Sequence, residues 1–147
     1  MRHALLIAVG LAFAGAALAA DTPAPDLLHP KAPAGAKVFI VSPKDGESVG
    51  QDVLVKFGVE GITIAPATDT TTPNAGHHHL LIDVTEMPAA GAPIPNDATH
   101  KHYGKGQTED TVHLTPGDHT LQLDFANAAH VPFEPPLVSK KITVHVK

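Results

Sequence analysis

The chain of 147 residues contains no cysteine and no tryptophan. Without thiols it can form neither disulfide bonds nor a thiolate metal site, so its stability must come from burial of side chains. Basic residues are also few, since ten Lys and Arg stand against fifteen Asp and Glu and the formal charge is -5. This deficit argues against nucleic acid, or an anionic membrane surface, as the partner.

The amino-terminal residues carry the pattern of an export signal. Arg2 precedes a short apolar stretch, and Ala17-Leu-Ala-Ala20 ends it with the small-x-small pattern that signal peptidase cleaves. The stretch is short for a membrane span and is followed at once by Asp21. We expect residues 1–20 to be a signal peptide, which leaves a periplasmic or secreted protein with no membrane span and, after loss of Arg2, a formal charge of -6 instead of -5.

The next segment, residues 21–36, is rich in Pro and Ala and has no apolar period. Such a composition predicts a flexible linker without chemistry of its own. The remaining residues, 37–147, are enough for one domain with its own core but hardly for two. We therefore expect a single histidine-rich domain behind a tether.

Hydrophobic residues alternate with polar ones from Lys37 onward, as they do in half-buried strands. No segment shows a helical period, and fourteen prolines interrupt the chain. Six or seven short strands with turn signals between them predict an all-β fold, an immunoglobulin-like antiparallel β-sandwich. The residues expected in its core are Val53, Val55, Phe57, Ile82, Leu121, Leu123, Ile142 and Val144.

The segment Leu114-Thr-Pro-Gly-Asp-His119 resembles the Leu-x-Pro-Gly-x-Tyr corner of many immunoglobulin-like domains, with His119 in the place of the tyrosine. His119 shares a strand face with Leu121, so we predict that its ring enters the edge of the core and hydrogen-bonds nearby backbone. The same alternation points His113 and His145 outward, where both should be solvated.

Eight of the eleven histidines lie between His77 and His130, three of them in a row. Imidazole is the commonest metal ligand in proteins and titrates near neutrality, so the cluster suggests a metal site or a proton site. In a strand, His77 and His79 can converge on one ion while His78 points toward the core. All three could bind together only before the strand begins. The alternative is that they are strand-entry residues whose rings contact backbone carbonyls.

Two further segments could complete a metal site. In a sandwich of this kind, the loop before the third strand and the loop between the last two strands lie at the same end, which places His130 near the triplet. His100 and His102 lie in an excursion, residues 86–107, that can fold back over a sheet. The candidate metal ligands are therefore His77, His78, His79, His100, His102 and His130.

Imidazole ligands suit one Cu(II) or Zn(II) ion, in tetrahedral or tetragonal geometry. The absence of cysteine and the single methionine after residue 20, Met87, argue against a soft Cu(I) site. Tyr103, Gln107 and Glu109 lie close in sequence to the second histidine pair. They could accept hydrogen bonds from the ligands or supply a fifth ligand.

Four ordered blocks of the sequence are similar to those of the bacterial domain of unknown function 4399 family. They are His77-His-His-Leu-Leu-Ile-Asp83, His102-Tyr-Gly-Lys-Gly-Gln-Thr-Glu109, Leu114-Thr-Pro-Gly-Asp-His-Thr-Leu-Gln-Leu123 and His130-x-x-Phe-x-Pro-Pro136. The resemblance covers residues 76–147. It implies no activity, because the family has none that can be transferred. It does imply that His78, His79, His102, His119 and His130 belong to one recurrent unit.

Three classes of function stay open. The first is a metal buffer, carrier or delivery protein. The second is a non-catalytic interaction module, with structural or pH-responsive histidines and another envelope protein as partner. An enzyme is the least favoured class. A copper site built on an amino-terminal histidine needs histidine as the first mature residue, whereas cleavage leaves Ala20 or Asp21, and Ser42, Ser48 and Ser139 lie in no nucleophile-elbow sequence.

Overall fold

The computed structural model describes residues 24–147, so the expected signal peptide lies outside the described residues. The described part of the chain forms nine strands, and none of it forms a helix long and apolar enough to cross a membrane. The strands are Lys37–Ser42 (β1), Glu47–Val49 (β2), Asp52–Glu60 (β3), Thr63–Ile64 (β4), Ala75–Ile82 (β5), His100–His102 (β6), Glu109–His113 (β7), Gly117–Ala126 (β8) and Ile142–Val146 (β9).

Two sheets pack face to face like the layers of a sandwich, which confirms the all-β prediction. The smaller sheet has the order β1, β3, β7, and the larger has the order β2, β9, β8, β5, β4, with β6 also paired to β5. The sheets are not purely antiparallel, because β2 runs parallel to β9 and β4 runs parallel to β5. The expected immunoglobulin-like topology is therefore not confirmed.

The three strands that the sequence did not predict, β2, β4 and β6, have three residues or fewer. Strands of that length cannot show an alternating period, since a period needs at least two repeats. They pair only with strands distant in sequence or across a loop, so their existence depends on the tertiary fold. β6 carries two of the candidate ligands, His100 and His102.

The core lies between the two sheets, and every residue predicted for it is buried there. Leu121, Leu123 and Val55 have no exposed surface, and Phe125 and Leu80 join them as the largest fully buried apolar side chains. Full burial of such a side chain stabilises the fold by about 1.5 to 3 kcal/mol. The alternation along β3 and β8 therefore places apolar side chains of both strands in the core between the sheets.

The histidine at the predicted corner lies at the edge of this core, as expected. His119 places Nδ1 2.7 Å from the Asp83 carboxylate and Nε2 2.9 Å from the Thr115 carbonyl oxygen. Both partners are acceptors, so both ring nitrogens donate, and the hydrogen bond to Asp83 raises the pKa of His119. His113 and His145 are exposed, which confirms the prediction for them.

The described part of the predicted linker packs against the domain and does not stand clear of it. The Ala32 amide donates to the Glu134 carbonyl, and the Glu134 amide donates back to the carbonyl of Pro30. The Asn127 side-chain amide also donates to the Leu27 carbonyl. The contact follows from backbone donors and acceptors that composition does not reveal.

Strand β5 is buried at all eight of its residues, on both faces. The face with His78 and Leu80 packs between the sheets. The face with His77 and His79 points away from the partner sheet, yet these side chains have no exposed surface either. Loops must therefore cover this outer face, and the histidines below them are removed from water.

Candidate metal centre

Four histidine rings gather on the outer face of β5. His77 and His79 lie two residues apart on that strand, so they share a face. His102 on β6 is directly opposite His79, and His130 comes from the loop after β8. Every pair among the four rings has its centroids between 4.7 and 5.9 Å apart. These four residues are called the histidine cluster below.

His102 Nε2 has two other Nε2 atoms at hydrogen-bond distance. His102 Nε2 lies 3.2 Å from His77 Nε2 and 3.1 Å from His130 Nε2. One ring nitrogen carries either one hydrogen or one lone pair, so it cannot form a good hydrogen bond to both neighbours. Two nitrogens bound to one ion at about 2.0 to 2.1 Å are about 2.9 Å apart at a right angle and about 3.4 Å apart at the tetrahedral angle. The observed separations fall between these values.

His79 and His130 lie near the same nitrogens. One nitrogen from each of His77, His79 and His102 lies within 4.8 Å of the others. His130 joins through its contact with His102. Three imidazole nitrogens therefore lie close enough together to hold one ion, and His130 Nε2 lies beside one of these rings.

Burial leaves nitrogens of the cluster without hydrogen-bond partners. Among the described residues, His77 Nδ1 and both nitrogens of His79 have none. An unpaired buried polar group costs about 1 to 3 kcal/mol. His102 and His130 are only partly buried, so solvent reaches the cluster from their side. A bound ion would give a partner to at least one nitrogen that the protein leaves unpaired.

Burial also favours the neutral form of His77, His79 and His102. Loss of solvation lowers the pKa of His77 to about 3, and the charges that His102 and His130 would carry add to this effect. The pKa of His79 is lowered further by the same causes, and that of His102 is lowered by burial and by His130. Neutral imidazole is the form that binds metals, so protons do not compete for these nitrogens near neutral pH.

The loop that carries His130 is held in an unusual conformation. His130 has a φ of 63°, in the left-handed region that costs a residue with a side chain about 1 to 2 kcal/mol. The Asn127 side-chain oxygen accepts hydrogen bonds from the amides of Ala129 and Val131, and the His130 amide donates to the Asn127 carbonyl. The His130 carbonyl accepts from the Ile94 amide. These bonds fix the strained residue so that its ring faces the cluster.

A glycine makes room for the ring of His102. A Cβ atom at Gly104 would stand 2.4 Å from His102 Nε2 and 2.3 Å from the neighbouring ring carbon. Any side chain at this position would displace the nitrogen that lies closest to His77 and His130. Gly104 thus permits the convergence without offering a ligand.

Two candidate ligands do not join the cluster. Strand alternation turns His78 to the inner face, where its ring lies 5.2 Å from that of Phe57 and 5.0 Å from that of Phe125. Burial lowers the pKa of His78 to about 4, and backbone acceptors nearby offset part of this shift, although neither ring nitrogen meets hydrogen-bond geometry. His100 shares a face of β6 with His102, but its Nδ1 lies 2.9 Å from an Asp97 carboxylate oxygen. Of the six histidines predicted as metal ligands, the structure therefore brings four together and leaves His78 and His100 outside the cluster.

The three polar residues expected to support the ligands point elsewhere. Tyr103 donates its hydroxyl hydrogen to Asp110 at 3.0 Å and packs in the core. Gln107 accepts from the backbone of Lys105, and Glu109 forms a surface salt bridge with a lysine of β3. Sequence proximity to the second histidine pair was therefore misleading, because alternation and the following turn direct these side chains away.

Sequence reasoning also missed two residues that shape the site, Asn127 and Gly104. Asn127 stands three residues before His130, a spacing at which an Asn side chain can hydrogen-bond the following amides and close a turn. Gly104 stands two residues after His102. A glycine so close to a ligand can indicate close approach, but only the fold shows which atom approaches it.

The fold and the site define a class of protein: a small all-β domain in which four histidines, two of them fully buried, gather on the outer face of the larger sheet. The model of the family described as Domain of unknown function (DUF4399) matches residues 55–147, and the chain belongs to this family. The matched range includes all four histidines of the cluster and begins inside β3. No curated protein and no solved structure matches the chain.

Proposed function

We propose that the protein is an exported carrier or buffer for a divalent transition metal, Cu(II) or Zn(II), which is bound by His77, His79, His102 and His130. The observation that carries the proposal is the position of His102 Nε2, within 3.2 Å of two other Nε2 atoms. That arrangement is poor for hydrogen bonding and suits nitrogens that surround one ion. The export rests on the amino-terminal sequence pattern.

The donor set favours these ions over others. Imidazole suits Cu(II) and Zn(II), whereas Mg(II) and Ca(II) prefer oxygen ligands, and no carboxylate belongs to the four-residue cluster. In the general order of affinity for divalent metals, Cu(II) binds nitrogen sites more tightly than Zn(II). We therefore expect Cu(II) to displace Zn(II) from the same site.

Binding and release fit the cluster better than catalysis does. Four protein ligands fill a tetrahedral ion, whereas catalytic zinc sites keep one position open for water or substrate. His77 and His79 have no exposed surface, while His102 and His130 lie at the solvent side. An ion would enter, and pass to a partner, through these two more exposed ligands.

The direct test is titration of the tagless mature protein with Cu(II) and with Zn(II), followed by calorimetry and thermal unfolding. We expect one ion per chain. A ligand that binds only the folded state adds about 2.7 kcal/mol to the free energy of unfolding at a hundredfold excess over Kd. The melting temperature should therefore rise clearly with either ion.

Variants separate this site from the other histidines. His102→Ala and His130→Ala should weaken binding strongly, and Gly104→Ala should weaken it without removing a ligand. His113→Ala and His145→Ala are the matched controls, because both residues are exposed and paired with aspartates. If the controls lose as much affinity as the ligand variants, or the parent binds no ion, the proposal is wrong and the alternative of a non-catalytic interaction module takes its place.

A further inference from the structure

A buried carboxyl group lies beside the histidine cluster. Asp124 on β8 is directly opposite His79 on β5. Residues directly opposite in an antiparallel pair project from the same face, with Cβ atoms about 4.5 to 5.5 Å apart. Asp124 is 1% exposed, and among the described residues it is the one buried side chain that carries a carboxyl group.

The side chains near Asp124 form hydrogen bonds with other groups. Its Oδ1 has no hydrogen-bond partner among the described residues. Gln122, two residues earlier on the same face, donates to the Ser139 carbonyl, and the Ser139 hydroxyl is engaged with the backbone of Leu123 and Lys140. The polar groups of Gln122 and Ser139 are therefore satisfied without Asp124, and Oδ1 of its carboxyl group stays without a partner among the described residues.

In the part of the chain that the structure describes, the ring of His79 lacks a hydrogen-bond acceptor, and Asp124 has an unpaired acceptor oxygen. Within residues 24–147, neither nitrogen of His79 has a hydrogen-bond partner. A histidine that binds a metal uses one nitrogen, and its other nitrogen then carries a hydrogen that needs an acceptor, most often a carboxylate or a carbonyl. The unpaired donor and the unpaired acceptor stand on adjacent strands at the same register position.

We propose that Asp124 is the positioning residue of the metal centre: its carboxylate accepts the N–H of metal-bound His79 and fixes which nitrogen of that ring binds the ion. This inference rests on the proposed metal binding. Asp124 also supplies negative charge where four neutral imidazoles would otherwise leave a divalent cation uncompensated in a buried site. The free N–H groups of His102 and His130 can donate to water, whereas that of fully buried His79 cannot.

The test compares two substitutions in the tagless full chain, with Cu(II) and Zn(II) ions as probes and a chelator of known affinity as competitor. Asp124→Asn keeps the shape and removes the charge, and Asp124→Leu removes the acceptor as well. Loss of such an outer hydrogen-bond partner weakens metal binding by about 10-fold to 100-fold. We expect a loss near the lower value for Asp124→Asn and near the upper value for Asp124→Leu.

Two further measurements distinguish positioning from a structural role. The melting temperature of the metal-free Asp124→Asn variant should equal or exceed that of the parent, since an unpaired buried carboxyl group adds no stability. The Cu(II) electron paramagnetic resonance spectrum should change in this variant. Asp118→Asn is the control, because Asp118 lies on the same strand face but is exposed and paired with His145. It should leave affinity and spectrum unchanged.

The outcomes separate the two proposals. If the parent binds one ion and both Asp124 variants bind it with parental affinity and spectrum, the role of Asp124 is wrong and the metal site stands. The role is also wrong if Asp124→Asn lowers the stability of the metal-free protein as much as that of the loaded protein. If the parent binds no ion, both proposals fail.

Discussion

His77 and His102 bring their Nε2 atoms to 3.2 Å, although 25 residues and a long excursion separate them in the chain. They lie on adjacent strands, with His102 directly opposite His79 and diagonal to His77. This pairing of β5 with the three-residue strand β6 turns two separate histidine motifs into one cluster.

The metal-free protein should lose stability as the pH falls from about 6.5 to 5. Burial lowers the pKa of His77 to about 3 and that of His78 to about 4 in the folded state, and lowers that of His79 still further. The unfolded chain therefore binds more protons in this range, and the slope from each such histidine rises toward about 1.4 kcal/mol per pH unit as the pH falls below 6.5. Urea unfolding at several pH values measures the sum.

His78→Leu isolates one contribution to that slope. The residue packs between Phe57 and Phe125 on the inner face of β5, whereas the histidine cluster lies on the outer face. An apolar side chain can therefore replace it. The variant should show a smaller slope with pH than the parent, and His113→Ala should show the parental slope. A parent whose stability does not change between pH 6.5 and 5 would contradict the prediction.

His119 should have the opposite effect on the pH dependence of stability. Its hydrogen bond to Asp83 raises its pKa in the folded state, so its contribution is complete below the unfolded value of about 6.5 and is lost as the pH rises through the folded value. His119→Ala should therefore lower the free energy of unfolding by about 1 to 3 kcal/mol at pH 6. The loss should be smaller at pH 9. Chemical unfolding at both pH values checks this, with His145→Ala as the exposed control.

The effect of His119→Ala should also be independent of metal, since the residue lies on the inner face near the Thr115 corner and not in the cluster. Thermal unfolding with and without Zn(II) measures this directly. A variant that is impaired only when Zn(II) is present would place His119 in the metal site and overturn the structural interpretation.

Asn127→Ala should weaken metal binding without removing a ligand. The substitution leaves the amides of Ala129 and Val131 without their acceptor, which costs about 1 to 3 kcal/mol and releases the loop that holds His130. We expect lower affinity in a chelator competition together with a lower melting temperature. Gln107→Ala is the control, because Gln107 bonds only its own turn, and it should retain parental affinity.

The backbone strain at His130 predicts a difference between two variants that both lack the ring. His130→Gly should be more stable than His130→Ala in the metal-free protein by about 1 kcal/mol, because glycine adopts a positive φ without steric cost. Both should bind metal weakly and to the same extent. Equal stability of the two variants would show that His130 relaxes from its φ of 63° in solution.

Much of the fold could be read from local pattern. Alternation located all six strands of five residues or more, and the eight core residues inferred from it are buried. The short strands were not predicted, since β2 and β4 form by parallel pairing with other strands and have no period of their own. The packing of residues 30–32 on the domain was not predicted either, because their backbone groups bond to Glu134, which only the fold brings near.

The site could be read only in part. Alternation predicts that His77 and His79 share a face and that His78 does not. It does not distinguish His102 from His100, which has the same parity on β6 but hydrogen-bonds Asp97. Asp124 stands at an outward position of β8, where a carboxylate is expected to be solvated, and nothing local indicates that it is buried.

The sequence by itself determined that the domain is all-β, that His77 and His79 point the same way and that the blocks belong to one family, because each depends on local order along the chain. Only the tertiary structure decided that the side chains on the outer face of β5 are buried from solvent. Burial of that second face requires the excursion with His102 and the loop with His130 to pack over it, and such contacts depend on residues far apart in sequence. Removal of water there lowers the pKa of His77 and His79, so both rings are neutral where the Nε2 atoms of His77 and His102 converge.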